Sequence, residues 1–139
     1  DAAILGLLDD DMGEVPMGTI KKRIERPADI QDPNVVKVVT DARNNALYFS
    51  RSPIPVARDE QVVYFKHIGL YVYRREFLLA YPDLPVGPLE RAERLEQLRA
   101  LENGHRIRVV ETEYESLGVD TPEDWKQVAE LFEKPMVNL

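Results

Sequence analysis

One short stretch carries several side chains able to hydrogen-bond a polar ligand. His67-Ile68-Gly69-Leu70-Tyr71-Val72-Tyr73-Arg74 places an imidazole and two phenols around a glycine. It is rich in β-branched and aromatic residues and has no proline, which suits a strand. Strand alternation puts Ile68, Leu70 and Val72 on a core face and His67, Gly69, Tyr71 and Tyr73 on the other. A glycine on that second face leaves room for something to approach. Imidazole and phenol can both donate to and accept from hydroxyl groups. A half-buried strand whose polar groups are satisfied locally is the plainer alternative. At about 3.3 Å rise per residue the Cα atoms of His67 and Tyr71 stand roughly 13 Å apart, so the two side chains are expected to line a groove rather than touch.

Other candidates lie elsewhere. Arg51 follows the strand-like Ala46-Leu47-Tyr48-Phe49-Ser50 and enters a stiff Ser52-Pro53-Ile54-Pro55 loop. An arginine so held suits an anion. Pairing with one of the 25 acidic residues is the alternative. Glu96 and Gln97 sit between leucines of a helix-like segment, near the edge of its apolar stripe, and could reach a pocket or water. Asp120 precedes Thr121-Pro122-Glu123-Asp124, a helix start with Thr121 as N-cap and Pro122 at the first helical position. Open α/β sheets place their chemistry in such strand-to-helix loops. One carboxylate does not make a magnesium site, however. Asp9-Asp10-Asp11 suits a solvated loop better than a metal site. Gly13 and Gly18 have phosphate-loop spacing, but Thr19 stands where that motif needs lysine.

These residues need elements to hold them. Met17 to Ile24 is expected as a helix, with Thr19 as N-cap, Ile20 and Ile24 on one face and Pro27 at its end. Val35–Val39 and Ala46–Ser50 read as strands of an antiparallel hairpin around the turn Asp41–Asn45. Arg74–Tyr81 reads as a short helix. Leu89–Asn103 is the strongest helix signal, with Leu89, Ala92, Leu95, Leu98 and Leu101 in register and Gly104 as its stop. Arg106–Thr112 alternates like a strand. The fold class is therefore α/β: a mixed sheet of four or five strands with three or four flanking helices.

Composition limits the function classes. The 139 residues, 44% apolar and 31% charged, fit one globular domain with a real core. There is no cysteine, hence no disulfide framework or thiolate metal site. A formal net charge of -7 repels polyanions, so neither nucleic acid nor an anionic membrane is an expected partner. Lys21-Lys22-Arg23 is too small a basic cluster to change that. No apolar run approaches a bilayer span, and a cytoplasmic setting is expected.

Several stretches together resemble one family. DPNVVKVV (Asp32–Val39), ALYFSRSPIP (Ala46–Pro55), KHIGLYVYR (Lys66–Arg74), LEQLRAL (Leu95–Leu101) and GVDTPEDW (Gly118–Trp125) occur in the order found in the C-terminal half of the 3-deoxy-manno-octulosonate (KDO) cytidylyltransferases, the CMP-KDO synthetases. The resemblance implies a Rossmann-like nucleotide-diphospho-sugar transferase fold and a homodimer. It also implies formation of CMP-KDO and pyrophosphate from CTP and KDO with magnesium, for lipopolysaccharide synthesis in the cytoplasm. By motif position it implies that Arg51, His67, Tyr71, Glu96 and Gln97 contact the sugar and that Asp120 binds magnesium.

The family's N-terminal half carries an R-x-x-S-x-R-x-P-G-K-like nucleotide loop and a G-D-E-P-like segment with a further metal-binding aspartate, and neither occurs in these residues. Residues 1–139 are thus expected to be a single sugar-binding and dimerisation portion, inactive alone, with the start at Asp1 suggesting a fragment or processed product. A non-catalytic dimerisation or sugar-binding module is one alternative. A cytidylyltransferase for another acidic sugar is a second. Two structural expectations follow: the strands Val35–Val39 and Arg106–Thr112 have lost neighbours, and Arg51, His67, Tyr71 and Gln97 border one pocket with Asp120 near its open side.

Overall fold

The computed structural model describes residues 15–58 and 61–113, with Pro122 and Lys126. Its strands are β1 (Met17–Arg23), β2 (Lys37–Thr40), β3 (Ala46–Ser50), β4 (Phe65–Tyr73) and β5 (Ile107–Glu111). Its helices are α1 (Pro27–Gln31), α2 (Arg75–Ala80), α3 (Pro88–Glu93) and α4 (Leu98–Glu102), with a 3-10 turn at Tyr81–Asp83. The strands form one sheet in the order β3-β2-β4-β1-β5. Only β1 and β5 run parallel; the other pairs are antiparallel. This is the mixed sheet with flanking helices that the residue patterns predict. Of the two strands expected to lack neighbours, β5 is an outer strand of the described sheet, whereas β2 lies inside it, between β3 and β4.

Met17–Arg23 is a strand and not the expected helix. It sits between β4 and β5 and is buried from Met17 to Lys22. A strand covered on both faces shows no alternation, so the signal that separates strand from helix is missing. Its lysines are accommodated by stem and tip separately. Lys21 packs its ammonium 4.0 Å from the Phe65 ring centroid and donates to Thr40 Oγ1 at 3.1 Å. Lys22 pairs with Glu25 at 3.6 Å.

The β2–β3 hairpin follows its turn chemistry. Asp41 Oδ1 accepts the backbone N–H groups of Arg43 (2.8 Å) and Asn45 (2.9 Å), and Asn44 takes the left-handed conformation at φ 64°. The core lies between this sheet and α4, with Met17, Val38, Phe49, Leu98, Ile107 and Val109 buried in it.

Leu89–Asn103 is two short helices rather than one. The chain turns at Arg94, which is left-handed (φ 55°, ψ 49°). Two features support the turn. Glu102, at the end of α4, reaches back to accept Leu89 N–H at 3.0 Å and Glu90 N–H at 2.8 Å, a carboxylate at a helix N-terminus. Glu90 in turn takes a two-pronged bond from Arg99, at 2.9 and 2.8 Å. A Cβ at Gly87 would run into the Glu102 carboxylate, so a side chain there would displace this cap. The leucines keep helical spacing through the break, which is why periodicity alone reads one helix.

Lys37 is 0% exposed, and its ammonium donates to Asp32 O (2.7 Å), Val35 O (2.6 Å) and Arg51 O (3.0 Å). Three acceptors need all three ammonium protons, so the buried side chain is charged in this arrangement. Burial lowers its pKa, and the nearby Asp32 and Asp29 carboxylates work against that shift. A Lys37→Met chain keeps the stem and leaves three carbonyls without this donor. It should lose about 3 kcal/mol of stability, read as a lower urea midpoint at unchanged slope. Lys37→Arg should not restore it, because a planar fork cannot serve three converging carbonyls. An unchanged midpoint in Lys37→Met would refute this role.

Candidate functional site

β2 meets β4 only at Lys37–Lys66, with one further bond from His67 N–H to Val36 O at 2.7 Å. Beyond that point β4 runs on without β2, and a cleft of about 430 Å3 opens beside it. One wall is Asn34, Val35 and Val36. The floor is β4 from Lys66 to Gly69 together with Tyr71. The far wall is Leu95 and Gln97, from the turn between α3 and α4. The volume suits a small ligand.

The floor departs from a regular strand. Thr19 pairs with Tyr71 and Ile20 with Ile68, so Gly69 and Leu70 bulge out of the β1–β4 ladder. The Thr19 hydroxyl fills the gap, donating to Leu70 O at 2.7 Å, with Ile68 O at 3.2 Å. His67 Nε2 lies 2.9 Å from the same oxygen, and His67 Nδ1 lies 3.5 Å from Gln97 Nε2. A hydroxyl has one proton. With that proton on Leu70 O, Nε2–H must donate to Thr19, and Nδ1 is left to accept from the Gln97 amide. The contacts thus assign one neutral tautomer. Burial agrees, pushing the imidazole down to about 4 from 6.5. The ring also packs edge-on to Phe49 at 4.9 Å.

His67 and Tyr71 do not stand apart as a regular strand requires. Their ring centroids are 5.5 Å from each other. The bulge inserts two residues between them and brings both side chains to one place. Tyr71 continues into Tyr73 (5.8 Å) and Phe77, packed against the core. It is therefore a core residue and a cleft residue at once. Burial, with Tyr73, Tyr81 and Glu96 nearby, raises its pKa, so it stays a phenol able to donate.

The remaining candidates are placed differently. Gln97 is buried on the cleft wall. Arg51 is not among the lining residues. Its guanidinium donates to Glu93 O (2.7 Å), Pro33 O (2.9 Å) and Arg94 O (3.3 Å), and its backbone N–H to Glu93 Oε1 (2.9 Å). It meets mostly carbonyls, rather than the free anion or the simple acid pair considered from sequence. Glu96 is exposed and also outside the lining; its carbonyl takes the Tyr81 hydroxyl at 2.7 Å. Asp120 and Asp9-Asp10-Asp11 lie outside the described residues, as does Gly13. Among the described residues no group of three or more His, Cys, Asp or Glu is placed to hold a metal ion. Sequence reasoning missed Thr19, Asn34 and Lys66. Thr19 could be found only from the strand register, whereas Lys66 adjoins His67 in the motif itself.

A cytidylyltransferase family model matches residues 6–107. The chain belongs to the cytidylyltransferase family. Over 134 residues it is 69% identical to the 3-deoxy-manno-octulosonate cytidylyltransferase of Solibacter usitatus, covering 95% of this chain and 52% of that protein. Over 142 residues it is 54% identical to the protein of the same name from Geobacter metallireducens, covering 94% of this chain and 55% of that one. A solved structure of CMP:2-keto-3-deoxy-manno-octonic acid synthetase complexed with CTP superposes with a TM-score of 0.75 at 43% identity, over 92% of this chain and 53% of the other. The chain spans about half the length of the curated relatives it matches. The fold of this cytidylyltransferase chain is thus the nucleotide-diphospho-sugar transferase arrangement that the sequence motifs imply.

The buried imidazole makes stability depend on pH. In the unfolded chain His67 binds its proton near 6.5, and in the folded chain only near 4. Between those values the unfolded state holds the extra proton, so stability is full above about pH 6.5 and falls toward pH 4, by about 3 kcal/mol. Urea midpoints of the parent should drop more steeply over this window than those of His67→Gln. A His67 resonance titrating near 6.5 in the folded protein would contradict the assignment.

Proposed function

We propose that this chain supplies the acceptor-sugar half of a 3-deoxy-manno-octulosonate cytidylyltransferase. The observation that carries the proposal is the cleft on β4, where neutral His67, held between Thr19 and Gln97, adjoins the phenol of Tyr71. In the reaction, the anomeric hydroxyl of KDO attacks the α-phosphorus of CTP. The new C–O–P bond gives CMP-KDO, the α–β phosphoanhydride bond breaks, pyrophosphate leaves, and the hydroxyl proton passes to solvent or base. Such a displacement depends on placing the hydroxyl in line and neutralising phosphate charge. In this proposal Tyr71 and the rest of the Gln97 amide bind and orient sugar hydroxyls, and His67, assigned to the sugar by resemblance, lines the cleft and holds Gln97 in place with its two nitrogens engaged by Thr19 and Gln97. Arg51 and Glu96 complete the acceptor side by resemblance.

Magnesium belongs to the proposal through Asp120. Among the described residues no group of three or more His, Cys, Asp or Glu is placed to hold a metal ion, and the roles given to them are hydrogen bonding and shape. The product would feed lipopolysaccharide synthesis in the cytoplasm. No helix among the described residues is long and apolar enough to cross a membrane.

The nucleotide loop that the family carries in its N-terminal half is absent from residues 1–139. The 139-residue chain by itself should therefore release no pyrophosphate from CTP and KDO. Adding a relative's N-terminal half as a separate chain should restore release, and comparing KDO with amino-KDO and sialic acid should show preference for KDO. Robust turnover by the purified chain alone would overturn the division of labour. Failure of any N-terminal half to restore turnover, with the chain folded, would favour a non-catalytic sugar-binding module.

A homodimer is also proposed, supported by the outer strand β5 and by exposed Leu78 (51%) and Leu79 (68%) on α2. Sedimentation at micromolar concentration should give at least a dimer, and a clean monomer would refute it.

A further inference from the structure

Gly69 has no structural reason to be glycine. Its backbone is not left-handed, since Gly104 alone among the described glycines has positive φ. A Cβ built on it meets no atom within 4 Å, and the residue is exposed. It sits in the bulge without a register partner on β1, while β2 meets β4 only back at Lys66. Mid-strand, glycine weakens the element through backbone entropy and the absence of a packing side chain. The fold thus loses something by having glycine here and gains no relief from strain or crowding. Gly69 also lines the cleft, between His67 and Tyr71.

We infer that Gly69 is a specificity-determining residue, the part of the cleft floor on which the bound sugar lies directly against the β4 backbone. The inference rests on the acceptor-sugar assignment above and adds where the ligand sits. The bulge matters here as much as the missing side chain. By turning Gly69 and Leu70 out of the β1 ladder it leaves bare backbone on the same cleft floor as the imidazole and the phenol. Thr19 secures that conformation from behind, through Leu70 O and Ile68 O. A hydroxylated ring can then approach this backbone beside the Tyr71 phenol without meeting a methyl group. Even one added carbon would project into open space at the cleft floor, where no protein atom beyond its chain neighbours lies within 4 Å.

The inference makes stability and binding move in different directions, which a purely structural glycine would not do. In Gly69→Ala the melting temperature should hold or rise by about 2–3 °C, because the unfolded chain loses freedom and the folded chain gains no clash. KDO affinity, measured by calorimetry on the 139-residue chain, should fall about 10–100-fold, and further in Gly69→Val. In the parent chain, the Gly69 amide resonance should shift on KDO addition. Parent binding with unchanged affinity in Gly69→Ala would overturn the inference and leave the acceptor-sugar assignment standing. Parent protein that takes no KDO would overturn both. A clear fall in the melting temperature of Gly69→Ala would also overturn it, since it would mean that protein, not ligand, occupies the space beside this residue.

Discussion

The Thr19 hydroxyl sits in the gap where β4 departs from β1, and the site depends on what that single oxygen can do. Leu70 O, in the bulge, takes the hydroxyl proton, with Ile68 O near the same group; His67 Nε2–H needs an acceptor. A hydroxyl provides both at once, which neither a methyl nor a carboxylate could do. In a fully buried central strand the oxygen has no water to turn to, so each bond fixes the geometry of the others. The order of dependence runs from β1 to the cleft. Thr19 holds the bulge, the bulge brings the His67 and Tyr71 rings to 5.5 Å, and the bond to Thr19 fixes the tautomer that leaves Nδ1 to accept from Gln97.

Charge is used in an unusual way around this cleft. Two cations behind its walls, Lys37 and Arg51, spend their donors on backbone carbonyls. Lys37 ties Asp32 and Val35 to Arg51 from inside the core. Arg51 ties Pro33 to Glu93 and Arg94. Both serve segments where the chain leaves regular structure and its carbonyls would otherwise lack partners. Charge-assisted bonds are the stronger kind, and here they hold irregular backbone in shape.

How much of this could be read from sequence depends on whether the cause is local. The β2–β3 hairpin was legible because Asp41 closes its turn with its own carboxylate and Asn44 is a residue type that accepts the left-handed conformation. β4 was legible from β-branched and aromatic content, and β5 from alternation. β1 was not, because burial on both faces erases the period, and Lys21 and Lys22 make a buried strand look solvent-facing. The break at Arg94 was not, because the leucines keep helical spacing through it and its supports, Glu102 on Leu89 and Glu90, Arg99 on Glu90, and Arg51 on Arg94 O, appear only once the chain has turned back on itself. The same holds at the site. His67, Tyr71 and Gln97 stood out by type and motif, but their convergence requires a bulge that appears only when β1 is laid beside β4. Thr19 was visible only as a supposed helix cap and as the residue that breaks a phosphate-loop match.

Arg51 makes the same point about function. The resemblance assigns it to the sugar, and its position at a strand end before Ser52-Pro53 suits an anion. In the fold its guanidinium joins the two walls of the cleft, through Pro33 next to Asn34 on one side and Arg94 next to Leu95 on the other. Its backbone and side chain both hold Glu93, at the end of α3. The distance between Asn34 and Gln97 across the cleft is therefore set in part by one planar group with fixed donor directions. Lysine could carry the charge but not the fork. An arginine at this position shapes the space a ligand enters even where its own nitrogens do not line that space, so its effect on ligand binding and its effect on the fold have one physical origin.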